Sequence, residues 1–272
     1  MKIKMMVLAL LVSMVGYAQE LYVFTDPASN VPAKSISAKW STKVLKSLHT
    51  DRVEQRHMPE VMLGLSKQWM VKASGTFSDM YSSNIRWESA RLYTKFRFLS
   101  VDDVHQHFRV AVFGEVAHSV NPAYFEEVSL DGDQSGVMGG VVLTQLWKKL
   151  AVSGTASYTQ VTTKKPKFIE DAYPWQALNY SLSAGLLVLP VEYTSYNQTN
   201  LNLYVELLGQ QTLDRKQHYL DLAPAAQLIF NSTAKLNLGY RFQLNGDMHR
   251  MAEKSWLVSF EYLFLNALSK KK

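Results

Sequence analysis

The chain has 272 residues, no cysteine, 29 Lys and Arg against 23 Asp and Glu, and a formal net charge of +6. The missing cysteines exclude thiol catalysis, disulfides and thiolate metal sites. The small positive charge, with Lys270, Lys271 and Lys272 supplying three of the lysines, gives no basic surface for nucleic acid, and no such partner is expected.

Lys2 and Lys4 precede an apolar run over residues 5–15 and the small-residue end Gly16-Tyr17-Ala18. That is the pattern of a secretory signal peptide over 1–18, cleaved after Ala18. The apolar core is shorter than the ~18 residues a helical span needs, and no later run reaches that length. The mature chain is expected to be exported without a helical anchor. Residues 19–34 contain Asp26-Pro27 and Val31-Pro32, which break a strand ladder, so an irregular N-terminal lead-in is expected there.

From residue 35 onward the chain alternates apolar and polar residues with period two. Twelve strands are predicted: 35–46, 59–66, 69–78, 87–99, 108–117, 136–146, 150–160, 177–189, 200–210, 217–230, 234–244 and 255–265. In the first, Ile36, Ala38, Trp40, Thr42 and Val44 share a face, and Lys39 and Lys43 lie opposite. In the last, Trp256, Val258, Phe260, Tyr262 and Phe264 oppose Ser255, Ser259 and Glu261. The sixth is rich in glycine, and its facing is ambiguous. The seventh and eighth carry Ser153, Thr155, Ser157 and Thr159, then Asn179, Ser181 and Ser183, on their polar faces.

Alternation alone fits a soluble β-sandwich as well as a membrane barrel. Three features favour the barrel. The strands reach about ten residues, which suits a tilted membrane crossing and exceeds the ~5–6 of soluble strands. Their number is even. The connections also segregate by side, with short turns at 66–68, 147–149 and 231–233 and long loops at 47–57, 78–86, 118–135, 161–174, 211–216 and 245–254. Two same-side connections, 100–107 and 190–198, are longer than that rule prefers. The expected fold is all-β: a single antiparallel up-and-down transmembrane β-barrel over 35–265, with a basic tail at 266–272. Outer-membrane lipid is then its first partner.

In a barrel with a wet interior the polar face lines the lumen. The candidates are Arg91, Lys95, Arg97, Arg109, Glu115, Glu206, Asp221, Arg241 and Glu261. They either tune solute selectivity or pair among themselves to fill the interior, with Glu88 and Glu115 as acids for the basic group on strands four and five. Asp103, His105 and His107 form a weak metal-ligand set, because no second ligand pair accompanies them. The run Asp131-Gly132-Asp133 lacks the bidentate Glu of a calcium loop. Ser259 and His218 are conceivable as a hydrolytic pair, but no nucleophile motif marks them. No cofactor and no enzymatic activity are expected.

The stretches Leu-Tyr-Val-Phe-Thr-Asp-Pro-Ala-Ser-Asn (21–30), Pro-Val-Glu-Tyr-Thr-Ser-Tyr-Asn-Gln-Thr-Asn-Leu-Asn (190–202) and Leu-Asn-Leu-Gly-Tyr-Arg-Phe (236–242) resemble outer-membrane barrels of the Bacteroidota type. The chain is similar to the transporter barrels grouped with the phenol-degradation meta-pathway family. That resemblance implies a channel for small, hydrophobic solutes and carries over no functional residue. Barrels of this kind often end on an aromatic read by the outer-membrane assembly machinery, whereas here residues 266–272 follow Phe264 and Leu265. Besides transport, a structural or adhesive barrel that binds partners through loops 118–135 and 161–174 fits the same pattern.

Overall fold

A computed structural model of the chain describes residues 22–103, 106–163, 173–192, 195 and 197–269. The expected signal peptide (1–18), residues 19–21 of the lead-in, His105, most of the loop at 161–174, part of 190–198 and the last three lysines lie outside the described residues.

Twelve strands close on themselves: β1 Ile36–Lys46, β2 Val53–Gly64, β3 Trp69–Ser78, β4 Arg86–Asp102, β5 Gln106–Ser119, β6 Gly136–Trp147, β7 Leu150–Val161, β8 Gln176–Leu189, β9 Asn200–Thr212, β10 His218–Phe230, β11 Ala234–Gly246 and β12 Lys254–Phe264. Each pairs antiparallel with its sequence neighbours, and β1 pairs with β12 from Ile36↔Phe264 to Leu45↔Ser255. Closure leaves no unpaired edge, which lets a sheet satisfy its backbone groups inside a membrane. No described helix is long and apolar enough to cross one.

The side chains sort as the alternation requires. β12 switches strictly between exposed and buried residues along its length. Trp40, Leu92, Val116, Leu182, Leu203, Leu238, Trp256 and Phe260 all stand on the exposed outer surface. Between the end residues of the strands, the outward positions hold no Asp, Glu, Lys or Arg. A belt of this composition is stable against hydrocarbon and would be a poor surface in water.

Two expectations need correction. β2 begins at Val53 rather than Pro59, so the first outer loop is only 47–52. Pro59 lies mid-strand opposite Trp40, where the ladder loses one donor and continues on both sides. The outward residues before it include Gln55 and His57, whose polarity masks the alternation of inward Glu54, Arg56 and Met58. The facing of β6 is resolved as well. Gly136, Met138, Gly140, Val142 and Thr144 turn inward, and Val137, Val141 and Leu143 turn outward. Both faces hold Gly and Val, so hydropathy carries no contrast there.

Candidate lumen site

Charge is distributed unevenly around the interior. Strands β1–β5 turn Lys39, Lys43, Arg56, Glu60, Lys72, Arg91, Lys95, Arg109 and Glu115 inward, among others. Strands β6–β8 present hydroxyls, an amide and small apolar groups instead, including Thr144, Ser153, Ser157, Thr159, Asn179 and Ser183. Strands β9–β12 return to charge with Glu206, Asp221, Lys235, Arg241 and Glu261.

The lead-in has no regular structure, as its prolines dictate, but it does not hang outside the barrel. It crosses the lumen from wall to wall. Near β1, Lys34 N–H donates to the Gly64 carbonyl at 2.6 Å, and Val31 packs beside Met62, Met70 and Tyr93. Arg109 donates to Ser29 Oγ at 3.1 Å and Lys95 Nζ to the Pro27 carbonyl at 2.6 Å. Ala28 N–H reaches Thr144 Oγ1 at 2.9 Å, and its methyl packs on Ala111 and Val142. Asp26 pairs with Lys72 at 3.0 Å. On the far side Glu206 collects the segment's end. It accepts from Val23 N–H at 3.0 Å, Phe24 N–H at 2.9 Å and the Thr25 hydroxyl at 2.6 Å. Phe24 lies over Gly239, where a Cβ would fall 2.5 Å from its ring.

The loop between β5 and β6 (120–135) folds down from the opposite end. Arg56 grips Asp133 through both nitrogens, at 2.7 and 3.1 Å, and Tyr81 donates to the same carboxylate at 2.9 Å. Arg91 bonds Asp131 and lies 3.5 Å from Glu115. Glu127 meets Arg250 at 3.0 Å and Arg241 at 3.4 Å, and both cations also bond Asp221. The Val128 backbone is held at both polar atoms by the Gln210 amide, at 2.8 and 2.7 Å. Burial raises the Glu127 carboxyl, but the guanidinium groups of Arg250 and Arg241 more than offset it and hold it well below the ordinary carboxylate range. The Arg91 charge likewise holds Asp131 below its usual value. Between Asp131 and Asp133, Gly132 sits at φ 124°, where a Cβ would lie 2.8 Å from Thr76.

Between segment and loop remains a cavity of about 370 Å³. Val23 to Asp26 floor it, Glu127 to Asp131 roof it, and both charged and neutral strands wall it. A cavity of about 50 Å³ lies further out beneath the outer loops and shares Lys43 and Arg241 with the chamber.

The expected lumen residues all lie on inward faces, but their contacts are specific. Arg91 and Glu115 pair with each other, and Arg241 and Asp221 do the same. Lys95, Arg109 and Glu206 hold the N-terminal segment. Glu261 bonds Lys235 at 2.9 Å and the Ser37 hydroxyl at 2.6 Å. Arg97 donates to the Lys67 carbonyl in a turn, away from the chamber. Glu88 pairs with Arg56 rather than with the cations of β4 and β5. Arg56, Glu127, Asp131, Asp133 and Arg250 were not identified from sequence. Four of them lie in loops, where no periodicity tells which way a side chain points.

Among the described residues no three His, Asp or Glu side chains group to hold a metal ion. His107 Nδ1 is bonded to Asp102 at 2.8 Å, and Asp103 hydrogen-bonds through its backbone to Gln106. Ser259 accepts from Asn237 at 2.8 Å, whereas His218 lies beside Asp247 at the outer end of β10, so the two are not brought together.

No family model and no curated protein matches the sequence. Solved structures do. An outer-membrane channel, the COG4313 channel from Pseudomonas putida F1, superposes with a TM-score of 0.58 at 10% identity, covering 89% of this chain and 100% of that one. The β domain of the Bordetella autotransporter BrkA gives 0.50 at 10% identity over 84% of this chain and 98% of that one. The NanC porin gives 0.49 at 9% identity over 84% and 98%. The likeness is one of fold. Together with the uncharged lipid-facing belt, it places the protein in the outer membrane as a closed twelve-stranded barrel.

Proposed function

We propose that this protein is a non-enzymatic outer-membrane channel for a small solute, normally closed by its N-terminal segment below and narrowed by the 120–135 loop above. The observation that carries this reading is the 370 Å³ chamber, lined jointly by wall, segment and loop. A barrel built only as a scaffold has no need of an internal space between an irregular segment and an inward-folded loop. The volume is at the small end of ligand pockets, which run from about 300 to 1,000 Å³. Residues 22–32 form no strand of the barrel, so they can leave the lumen without breaking its ladder.

The resemblance to transporter barrels of the phenol-degradation meta-pathway family belongs to this reading. So does insertion by the outer-membrane assembly machinery, with β12 and Phe264 as the terminal strand. Liposome swelling with uncharged sugars of graded size tests the proposal. The intact protein should admit solutes slowly, and a chain lacking residues 22–32 should admit them several-fold faster. No uptake through either protein would overturn a transport role.

A further inference from the structure

Lys39, Ser41 and Lys43 follow one another on the inward face of β1, and all three line the chamber. Nearly every other cation facing this space is already engaged. Lys72 holds Asp26 and Glu60, Arg91 holds Glu115 and Asp131, and Arg241 holds Asp221 and Glu127. Lys39 and Lys43 form no ion pair among the described residues. The acids within their electrostatic reach are bonded to other cations: Asp26 and Glu60 to Lys72, Glu261 to Lys235, Glu127 to Arg250, Asp131 to Arg91 and Asp133 to Arg56.

The hydroxyl between the two lysines adds an independent observation. Ser41 is 2% exposed, and its Oγ has no hydrogen-bond partner. Its cross-strand neighbours offer none, since Met58 lies opposite on β2, and Ser259 on β12 is bonded to Asn237. A buried donor of this kind is costly unless something accepts from it. Two cations and a donor spaced along one strand make a natural seat for an anionic head group. Two of the row's six cross-strand neighbours are apolar: Met58 beside Ser41 and Leu257 opposite Lys43 are buried and line the same cavity, whereas Glu60 and Arg56 on β2 and Glu261 and Ser259 on β12 are polar. Lys43 also lines the outer cavity, so it stands where a solute entering from outside meets the chamber.

We propose that Lys39, Ser41 and Lys43 form an anion seat within the lumen that takes a small organic carboxylate, with the apolar body against Met58 and Leu257. This deepens the channel reading by giving its solute a charge, and it rests on the same chamber.

The test is calorimetric titration of benzoate, and of its neutral isostere benzamide, into the full chain in detergent. Benzoate should bind at least about tenfold more tightly than benzamide. Lys39→Gln with Lys43→Gln should remove most of that preference, Ser41→Ala a smaller part, and Lys39→Arg with Lys43→Arg should retain it. Retained heat-modifiable gel mobility checks that each variant is folded. Equal binding of the two compounds, benzoate binding unaffected by the double glutamine change, or no benzoate binding at all would each overturn the seat. Benzoate flux into liposomes is read separately. Binding without flux would refute the channel and leave the seat standing, and flux with no lysine dependence would do the reverse.

Discussion

The N-terminal segment crosses the lumen from β1 to β9 and is caught mainly through its backbone, with Glu206, Thr144 and Lys95 taking its amides and a carbonyl. The 120–135 loop enters on the charged side and is fixed by Glu127, Asp131 and Asp133, each bonded to an arginine. The two covers therefore differ in how they can be released. Amide contacts are individually modest and can be exchanged for water as the segment withdraws. The buried Arg56–Asp133 and Arg250–Glu127 pairs cannot be broken without stranding a charge, so the loop is a fixed constriction. Only one of the two has the chemistry of a gate.

The largest effect expected from this contrast is on the loop. Arg250→Met removes one of the two cations shared by Asp221 and Glu127, and breaking a buried pair of this type costs about 3–5 kcal/mol. Thermal unfolding followed by heat-modifiable mobility should fall markedly, with new protease cleavage within 120–135. An unchanged melting temperature would show that the loop anchors are dispensable.

Glu206→Gln should act on the segment and leave the loop in place. It weakens the acceptor of two buried amides and a hydroxyl, worth about 1–3 kcal/mol, which corresponds to about a tenfold rise in channel opening. If opening stays constant while barrel stability drops, Glu206 is part of the barrel's support and not the latch.

Gly239→Val should have a smaller effect in the same direction, because its side chain would occupy the seat of the Phe24 ring. Opening frequency in planar bilayers reads this out, and a tighter closure would contradict the packing described.

Mild acid should do least. Glu127 and Asp131 ionise below the ordinary carboxylate range, so the stabilisation they give is present above the unfolded value and is lost only as pH falls through their depressed values. Moving from pH 7 to about 5 should leave the loop closed and protease-resistant. Opening in that interval would mean the arginines do not hold these carboxylates down.

The barrel itself was readable because lipid and lumen impose period two on each strand, as in β12 and β3, where a single residue in or out flips the whole face. β2 was misread at its start because Gln55 and His57 face outward near the rim, where the apolar rule lapses. β6 was ambiguous for a reason tied to function. Its inward Val142 packs on Ala28, so a filled lumen placed apolar residues on the face where a wet one would have placed polar residues. The inward charges were readable as a set, but not as pairs, because pairing depends on Glu127, Asp131 and Asp133 in a loop without periodicity. Lys39 and Lys43 were visible as inward lysines. What separates them from the rest, that the acids around them are bonded to other cations, becomes apparent only when all the other pairs are in place.

The central claim is that residues 22–32 are the releasable closure of the lumen, with the 120–135 loop staying in place as a constriction that does not seal it. Single-channel recording in planar bilayers tests it most directly, comparing the intact chain with one lacking those residues. The account predicts a quiet baseline with brief openings for the intact protein and a sustained, several-fold larger conductance after the deletion. Equal conductance from two correctly folded proteins would contradict it.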